Sequence, residues 1–301
     1  MSSKLKGSLL MITSAVMFGT MPLFVKNMYL GGANAMSVVF YRNFLPLPIL
    51  FLIMLRTSRD NLWIKPSEIK KFFVVGSIGA ALTPILMYTS YHYIDSSMAT
   101  TLHYINPVIV FLECFLFFQD RIDKVKIISL MMSTVGILLF YSPGSPTNAL
   151  GILLALSSGI TFATYIVYLD KSGLSKMNPF KYSFYNSLVC SILVFAYTQA
   201  TDTFTYHLTP FAWALTWFFS ISLTVVAVVC FQMGVRMVGP QNTAILSTFE
   251  PLTSIFWGVV VFHDHFNTKT ILGTIFILSS VLLLTLYEGR NRKTQNSLHT
   301  S

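Results

Sequence analysis

Charge is scarce in this sequence of 301 residues: Asp, Glu, Lys and Arg make up 10% of it, against about 25% in an ordinary soluble domain. With 54% hydrophobic residues and a mean hydropathy of +0.65, a water-soluble fold of this size would leave large apolar areas facing water, and that class is excluded. Acidic residues are the scarcer sign, 11 against 20 Lys and Arg, for a formal net charge of +9. The basic residues flank apolar runs instead of forming a patch, which argues against nucleic-acid binding. Cysteine is rare too. Cys114, Cys190 and Cys230 lie far apart inside apolar runs, with neither the CxxC spacing of a zinc site nor a disulfide framework. HExxH, Walker A, GxSxG and paired-aspartate motifs are missing, so neither an enzyme nor a bound cofactor is expected. His263-Asp264-His265 mixes residue types that ligate metals. Its counterpart in the repeat described below is Gln119-Asp120-Arg121, which cannot hold the same ion, so no metal site is expected.

Long apolar runs are what the chain has instead: Gly7–Val25, Ala35–Leu55, Phe72–Tyr91, Ser96–Phe118, Val125–Tyr141, Ala149–Leu169, Tyr182–Thr198, Phe211–Val235, Pro240–Phe262 and Thr270–Tyr287. Water cannot satisfy backbone groups in a bilayer core, so such runs must be helices; they also exceed the 9–11 residues of a barrel strand. The start, Lys4-Leu5-Lys6 followed by an apolar run, resembles a signal peptide without a small-x-small cleavage site, and is expected to be a retained first helix. Basic loops stay in the cytoplasm. With both ends inside, the outer side keeps Lys26 and Lys269, Arg42 falls within the second span, and the other basic residues lie on or beside inner segments. One missed or invented helix would scramble that segregation, which therefore supports ten spans.

An internal repeat organises the runs. Subtracting 144 places Gly151 on Gly7, Ser158 on Ser14, Phe162 on Phe18, Thr164 on Thr20, Asn178 on Asn34, Phe184-Tyr185 on Phe40-Tyr41, Pro251 on Pro107, Phe262 on Phe118 and Asp264 on Asp120. The expected architecture is all-α: ten transmembrane helices in two five-helix repeats, residues 1–145 and 146–289, with a cytoplasmic tail, 290–301. Five is odd, so the second repeat enters the membrane in the opposite sense. Inverted repeats are a signature of secondary transporters.

Charges inside a membrane cost about 2.5–3.5 kcal/mol each on insertion scales and ask for a reason. Arg42, Glu113 and Glu250 lie well inside spans. On the fourth span Ser96, Ala99, His103, Asn106, Val110 and Glu113 share one helical face; on the ninth, Pro240, Thr243, Ser247, Glu250, Ser254 and Trp257 do the same. The two stripes suggest a shared central cavity. Pro107 and Pro251 break these helices and are expected to free the carbonyls of His103 and Ser247 for solute, water or a neighbouring side chain, the alternative being a kink that only shapes packing. Glu250 is either a proton-exchanging group or a permanently paired carboxylate. Arg42 either grips a carboxylate or phosphate or pairs with Glu250 or Glu113. His103 is either a solute contact or a satisfied packing residue, and Glu113 ranks below both, near the cytoplasmic end. Tyr41, Tyr88, Tyr104, Tyr165, Tyr185 and Trp257 are candidates for an amphipathic pocket, against the ordinary role of packing or belt residues.

The stretches GSLLMITSAVMFGTMPLFVK (7–26), FYRN (40–43), SSMATTLHYINPVIVFLECFLFFQD (96–120) and GPQNTAILSTFEPLTSIFWGVVVFHD (239–264) resemble the EamA-type transporters of the drug/metabolite transporter superfamily, over nearly the whole chain. The resemblance implies two inverted five-helix repeats around a central cavity and movement of amino acids, amines, nucleoside-like compounds or related metabolites, often outward. Asn106-Pro107 and Glu250-Pro251 match the family pattern, as does Arg42, which members with differing substrates share. The expected function is secondary transport of a small organic metabolite by alternating access, with an intramembrane enzyme or a passive channel as the alternatives. Expected partners are the solute, the lipid bilayer and protons as a candidate coupling ion, in a monomer or homodimer. The expected location is a prokaryotic plasma (inner) membrane.

Overall fold

The computed structural model describes residues 3–58, 62–94, 96–120, 123–139, 148–262 and 268–299. His263-Asp264-His265 lies outside the described residues. Every regular element among those described is a helix. In chain order these are α1 (Ser3–Phe18), α2 (Met21–Leu30), α3 (Ala35–Phe44), α4 (Leu47–Thr57), α5 (Pro66–Val75), α6 (Thr83–Ser90), α7 (Ser96–His103), α8 (Asn106–Phe118), α9 (Lys124–Leu139), α10 (Ala149–Lys171), α11 (Pro179–Thr201), α12 (Pro210–Ser220), α13 (Val228–Val238), α14 (Pro240–Leu246), α15 (Phe249–Phe262) and α16 (Thr268–His299). Many are halves of longer rods. Prolines stand near several of the joints, Pro22, Pro46, Pro48, Pro84, Pro107 and Pro251 among them, where a missing amide and a crowding ring break the ladder. Wide π turns, Gly76–Leu82 and Ile221–Ala227, join α5 to α6 and α12 to α13.

Six stretches are long and apolar enough to cross a bilayer: Ser3–Leu30, Ala35–Thr57, Pro66–Ser90, Met98–Phe118, Ala149–Lys171 and Pro210–Val238. The chain is a multi-pass membrane protein. α11 is 23 residues long but falls outside that set. Its Ser183, Asn186, Ser187 and Ser191 lower its hydropathy while being at most 4% exposed, so it turns polar groups inward. Lipid suits the opposite kind of surface, such as Leu112, Phe115, Leu116 and Phe117 of α8, which are all exposed.

Helices meet in pairs that follow the 144-residue spacing. α1 packs on α13 and α6 on α10; α3 and α4 pack on α11; α9 packs on α16. Small residues bring the last pair together. Ser280 Oγ donates to the Ser129 carbonyl at 2.6 Å. A Cβ on Gly136 would stand 2.7 Å from Ile277 Cγ1 and 2.8 Å from the Gly273 carbonyl oxygen. Gly136→Leu is therefore expected to cost about 1–3 kcal/mol by overpacking, read as a lowered melting temperature in detergent, whereas a substitution at exposed Leu138 is expected to be neutral.

Two loop clasps tie α3 to α11. At one end Asn34 caps α3, its Oδ1 accepting from Ser37 N at 2.8 Å, and its Nδ2 donates to the Thr203 carbonyl at 2.7 Å. At the other, Asn178 caps α11 through Phe180 N and Lys181 N, and its Nδ2 donates to the Thr57 carbonyl at 3.4 Å. Tyr41 Oη donates to the Thr205 carbonyl and Tyr185 Oη to the Leu62 carbonyl, at 3.3 and 3.0 Å. Phe40 meets Phe195 and Phe184 meets Phe51, with ring centroids 5.5 and 5.6 Å apart. Each residue in one clasp has its 144-residue counterpart, or a close neighbour of it, in the other.

Candidate functional site

The charged centre is built from several rods. Arg42 lies on α3 and is half-buried. Its Nη1 donates to Tyr88 Oη of α6 at 3.1 Å, and its guanidinium stands over the Phe18 ring of α1, 5.8 Å from the centroid. Tyr88 is held in turn. It is 1% exposed, its hydroxyl donates to Met21 Sδ at 3.3 Å, and its carbonyl accepts from Tyr29 Oη at 3.0 Å. Thr224, in the π turn before α13, donates to the Arg42 carbonyl at 2.9 Å, and Ser220 to that of Tyr41 at 3.2 Å. The wide turn thus presents the Thr224 hydroxyl to the backbone beside Arg42, a local use of π geometry. Arg42 Nε is buried without a hydrogen-bond partner.

Glu250, on α15, completes the centre. It stands within electrostatic reach of Arg42, and no direct ion pair joins Glu250 to Arg42 among the described residues. Gly19 lets α1 approach: a Cβ there would stand 2.5 Å from the Glu250 carbonyl oxygen and 2.6 Å from Thr253 Cβ. Of the expected site residues, Arg42, Tyr88 and Glu250 come together, and Tyr104 joins them. Phe18 and Met21 belong to the same cluster although their polarity drew no attention to them.

The remaining candidates lie elsewhere. The His103 carbonyl accepts from Asn106 Nδ2 at 3.1 Å; the Ser247 carbonyl accepts from Tyr104 Oη at 2.7 Å and from Glu250 N at 2.9 Å. Of the partners expected for these carbonyls the protein's own groups take the place, since a nearby donor removes the cost of a bare carbonyl in an apolar medium. Ser247 Oγ donates to the Thr243 carbonyl, one turn back, at 2.9 Å. Pro107 and Pro251 lie one or two residues into the helices that follow the breaks, α8 and α15. Tyr165 Oη shares a hydrogen bond of 2.9 Å with Tyr182, and its ring stacks on Phe231. Tyr41 and Tyr185 serve the two clasps. Trp257 meets the Phe256 ring edge-on at 5.5 Å, and no hydrogen bond or ring contact joins it to Arg42 or Glu250 among the described residues.

The polar stripe of the fourth span faces α10. His103 Nδ1 lies 2.8 Å from Ser158 Oγ, and Glu113 Oε1 accepts from Thr164 Oγ1 at 2.7 Å. The Ser158 hydroxyl also lies 2.6 Å from the Ala155 carbonyl, so it is held between the imidazole and its own helix. His103, 6% exposed, is a satisfied interior group. Ser158→Ala would leave the buried Nδ1 without its partner and is expected to cost about 1–3 kcal/mol of stability, with flux per folded molecule unchanged; thermal denaturation and reconstituted flux measure the two separately.

The repeat sets this centre against a neutral mirror. Subtracting or adding 144 relates Arg42 to Asn186, Glu250 to Asn106, Phe18 to Phe162 and Tyr88 to Gln232. Asn186 and Asn106 are 4% and 0% exposed. One site therefore carries two of the three charges within spans, Arg42 and Glu250, and its counterpart carries asparagine at the same two places.

These features define a class: an all-helical, multi-pass membrane protein with an arginine and a glutamate at the meeting of several spans. The pattern of the EamA-like transporter family matches residues 5–142 and again 149–286, and the chain belongs to that family. An uncharacterized transporter of Archaeoglobus fulgidus is 26% identical over 282 residues, covering 92% of this chain and 95% of that one. The uncharacterized transporter YcbK of Bacillus subtilis is 21% identical over 308 residues, covering 94% and 95%. The uncharacterized inner membrane transporter YicL of Salmonella typhimurium is 23% identical, covering 74% of each chain. A crystal structure of a protein 14% identical in sequence superposes with a TM-score of 0.77 over 93% of this chain and 98% of that one; at that identity the likeness concerns fold alone. The chain is a transporter of the membrane.

Proposed function

We propose that the protein is a secondary carrier that moves a small organic metabolite (an amino acid, an amine, a nucleoside-like compound or a related solute) by alternating access. In this reading ten spans form two inverted repeats, residues 1–145 and 146–289, with both ends and the 290–301 tail in the cytoplasm of a prokaryote. The observation that carries it is the charged centre. Arg42 keeps a buried Nε without a partner beside a carboxylate that it does not touch, and a half-buried guanidinium with an unused donor suits a solute carboxylate or phosphate. The paired contacts of α1 with α13 and α6 with α10, and the matching clasps, support two related halves. Glu250 is the group to exchange a proton during the cycle. Monomer and homodimer both accommodate a centre made from one chain.

The rival enzyme reading asks for two of Arg42, His103 and Glu113 within hydrogen-bond reach. Each has a different partner: Tyr88, Ser158 and Thr164 respectively. The transport reading is tested by a metabolite-wide uptake and export screen of overexpressing cells, followed by flux of the hit in ATP-free liposomes. A hit that crosses only when ATP is added, or no hit at all, counts against it.

A further inference from the structure

In a carrier made of two inverted halves, a conformation open to one face leaves the two ends in different states, so the moving parts are those that differ between halves. Parts alike in both halves do not register which end is shut. The two clasps and the α9–α16 pair are alike: Asn34 and Asn178, Tyr41 and Tyr185, Ser129 with Gly273, and Gly136 with Ser280 are all 144-residue counterparts, and all are engaged at once.

One pair of counterparts departs from this likeness. α14 is buried at all seven of its positions, and burial runs on through Ser247 and Thr248. It packs on α8, α1, α10, α13, α9 and α16. Its counterpart α7 is half-buried at Ser96, Thr101 and Leu102 and packs on α10, α15 and α6. The buried piece also carries polar groups without partners, as Ser129 of the α9–α16 pair does. Thr243, 0% exposed, has a hydroxyl with no hydrogen-bond partner, and Gln241, 5% exposed, leaves Nε2 unpartnered while its Oε1 accepts from Lys126 Nζ at 3.2 Å. Each such group is costly when dry and is satisfied when water arrives. Lys126 opens α9, at the basic and hence cytoplasmic end.

We infer that α14 is the cytoplasmic gate, held shut in this conformation, while the clasps and the α9–α16 pair form the static frame. The inference rests on the transport reading above. Parting α14 from α8 and α10 admits water to Gln241 and Thr243, which satisfies their unpartnered groups.

The test uses the full chain with its three cysteines replaced by alanine, a single Thr243→Cys substitution, and a membrane-impermeant maleimide applied to right-side-out and inside-out vesicles. Labelling is expected from the cytoplasmic face alone, and slowly. Adding Ala244→Phe, which overpacks the gate, is expected to speed it about tenfold or more; bridging the frame through Asn34→Cys and Thr203→Cys, oxidised before labelling, is expected to leave the rate unchanged. Labelling from the outer face, absence of labelling from either face, or loss of labelling on bridging the frame overturns the inference. Should Ala244→Phe not fold, sidedness at position 243 still decides. If a solute is carried yet position 243 never reacts, the gate assignment alone fails. If position 243 reacts as expected and no solute is carried, the transport reading alone fails.

Discussion

Replacing Arg42 by asparagine is expected to destabilise the protein by about 3 kcal/mol, and replacing Arg42 and Glu250 together by asparagine is expected to recover most of that loss. The reason lies in how charges behave in an apolar interior. Removing one member of an opposed pair leaves the other without compensation, whereas removing both leaves nothing to compensate. Arg42 also gives Nη1 to Tyr88 and covers the Phe18 ring, and these contacts vanish in either variant, so recovery is incomplete. The mirror positions Asn186 and Asn106 show that the fold accepts asparagine at both places. Melting curves of the two single variants and the double variant form a mutant cycle; a coupling energy near zero would mean that Arg42 and Glu250 do not neutralise each other.

Glu250→Gln is expected to lower flux per folded molecule tenfold or more while still inserting, at a lower melting temperature than the parent because Arg42 loses its compensating charge. Glutamine keeps the shape of a protonated glutamate, but it cannot release a proton or hold a cation. Any drive from an imposed pH gradient is expected to vanish with it, since the variant mimics the protonated form at every pH. The double asparagine variant is expected to be folded and silent, which separates the role of the pair in stability from its role in transport. Undiminished flux in Glu250→Gln would remove Glu250 from the cycle.

How much of this was legible in the sequence depended on periodicity. The helices, the spacing of 144 and the interruptions of the fourth and ninth spans follow from apolar runs and proline chemistry, because a bilayer leaves the backbone few options. Arg42 and Glu250 stood out as charges in apolar runs. Phe18 and Met21 did not, because an apolar residue among apolar residues carries no local signal of what it touches. Tyr41 and Tyr185 looked like pocket aromatics, yet each reaches a loop of the other half, a contact across more than 120 residues of sequence that no local pattern encodes. The stripe of the fourth span was legible as polar, but the direction of its partner was not: His103 and Glu113 both turn to α10. The asparagine mirror was available from the offset alone, by asking what stands 144 residues from each charge.

In the transport reading, solute crosses bound to a site that opens to one face at a time. It is tested most directly by counterflow in ATP-free liposomes: with the carried solute preloaded inside, entry of labelled solute is expected to be saturable and transiently to exceed equilibrium. Entry that rises linearly with concentration and ignores the solute within would describe an open pore, and would contradict the account.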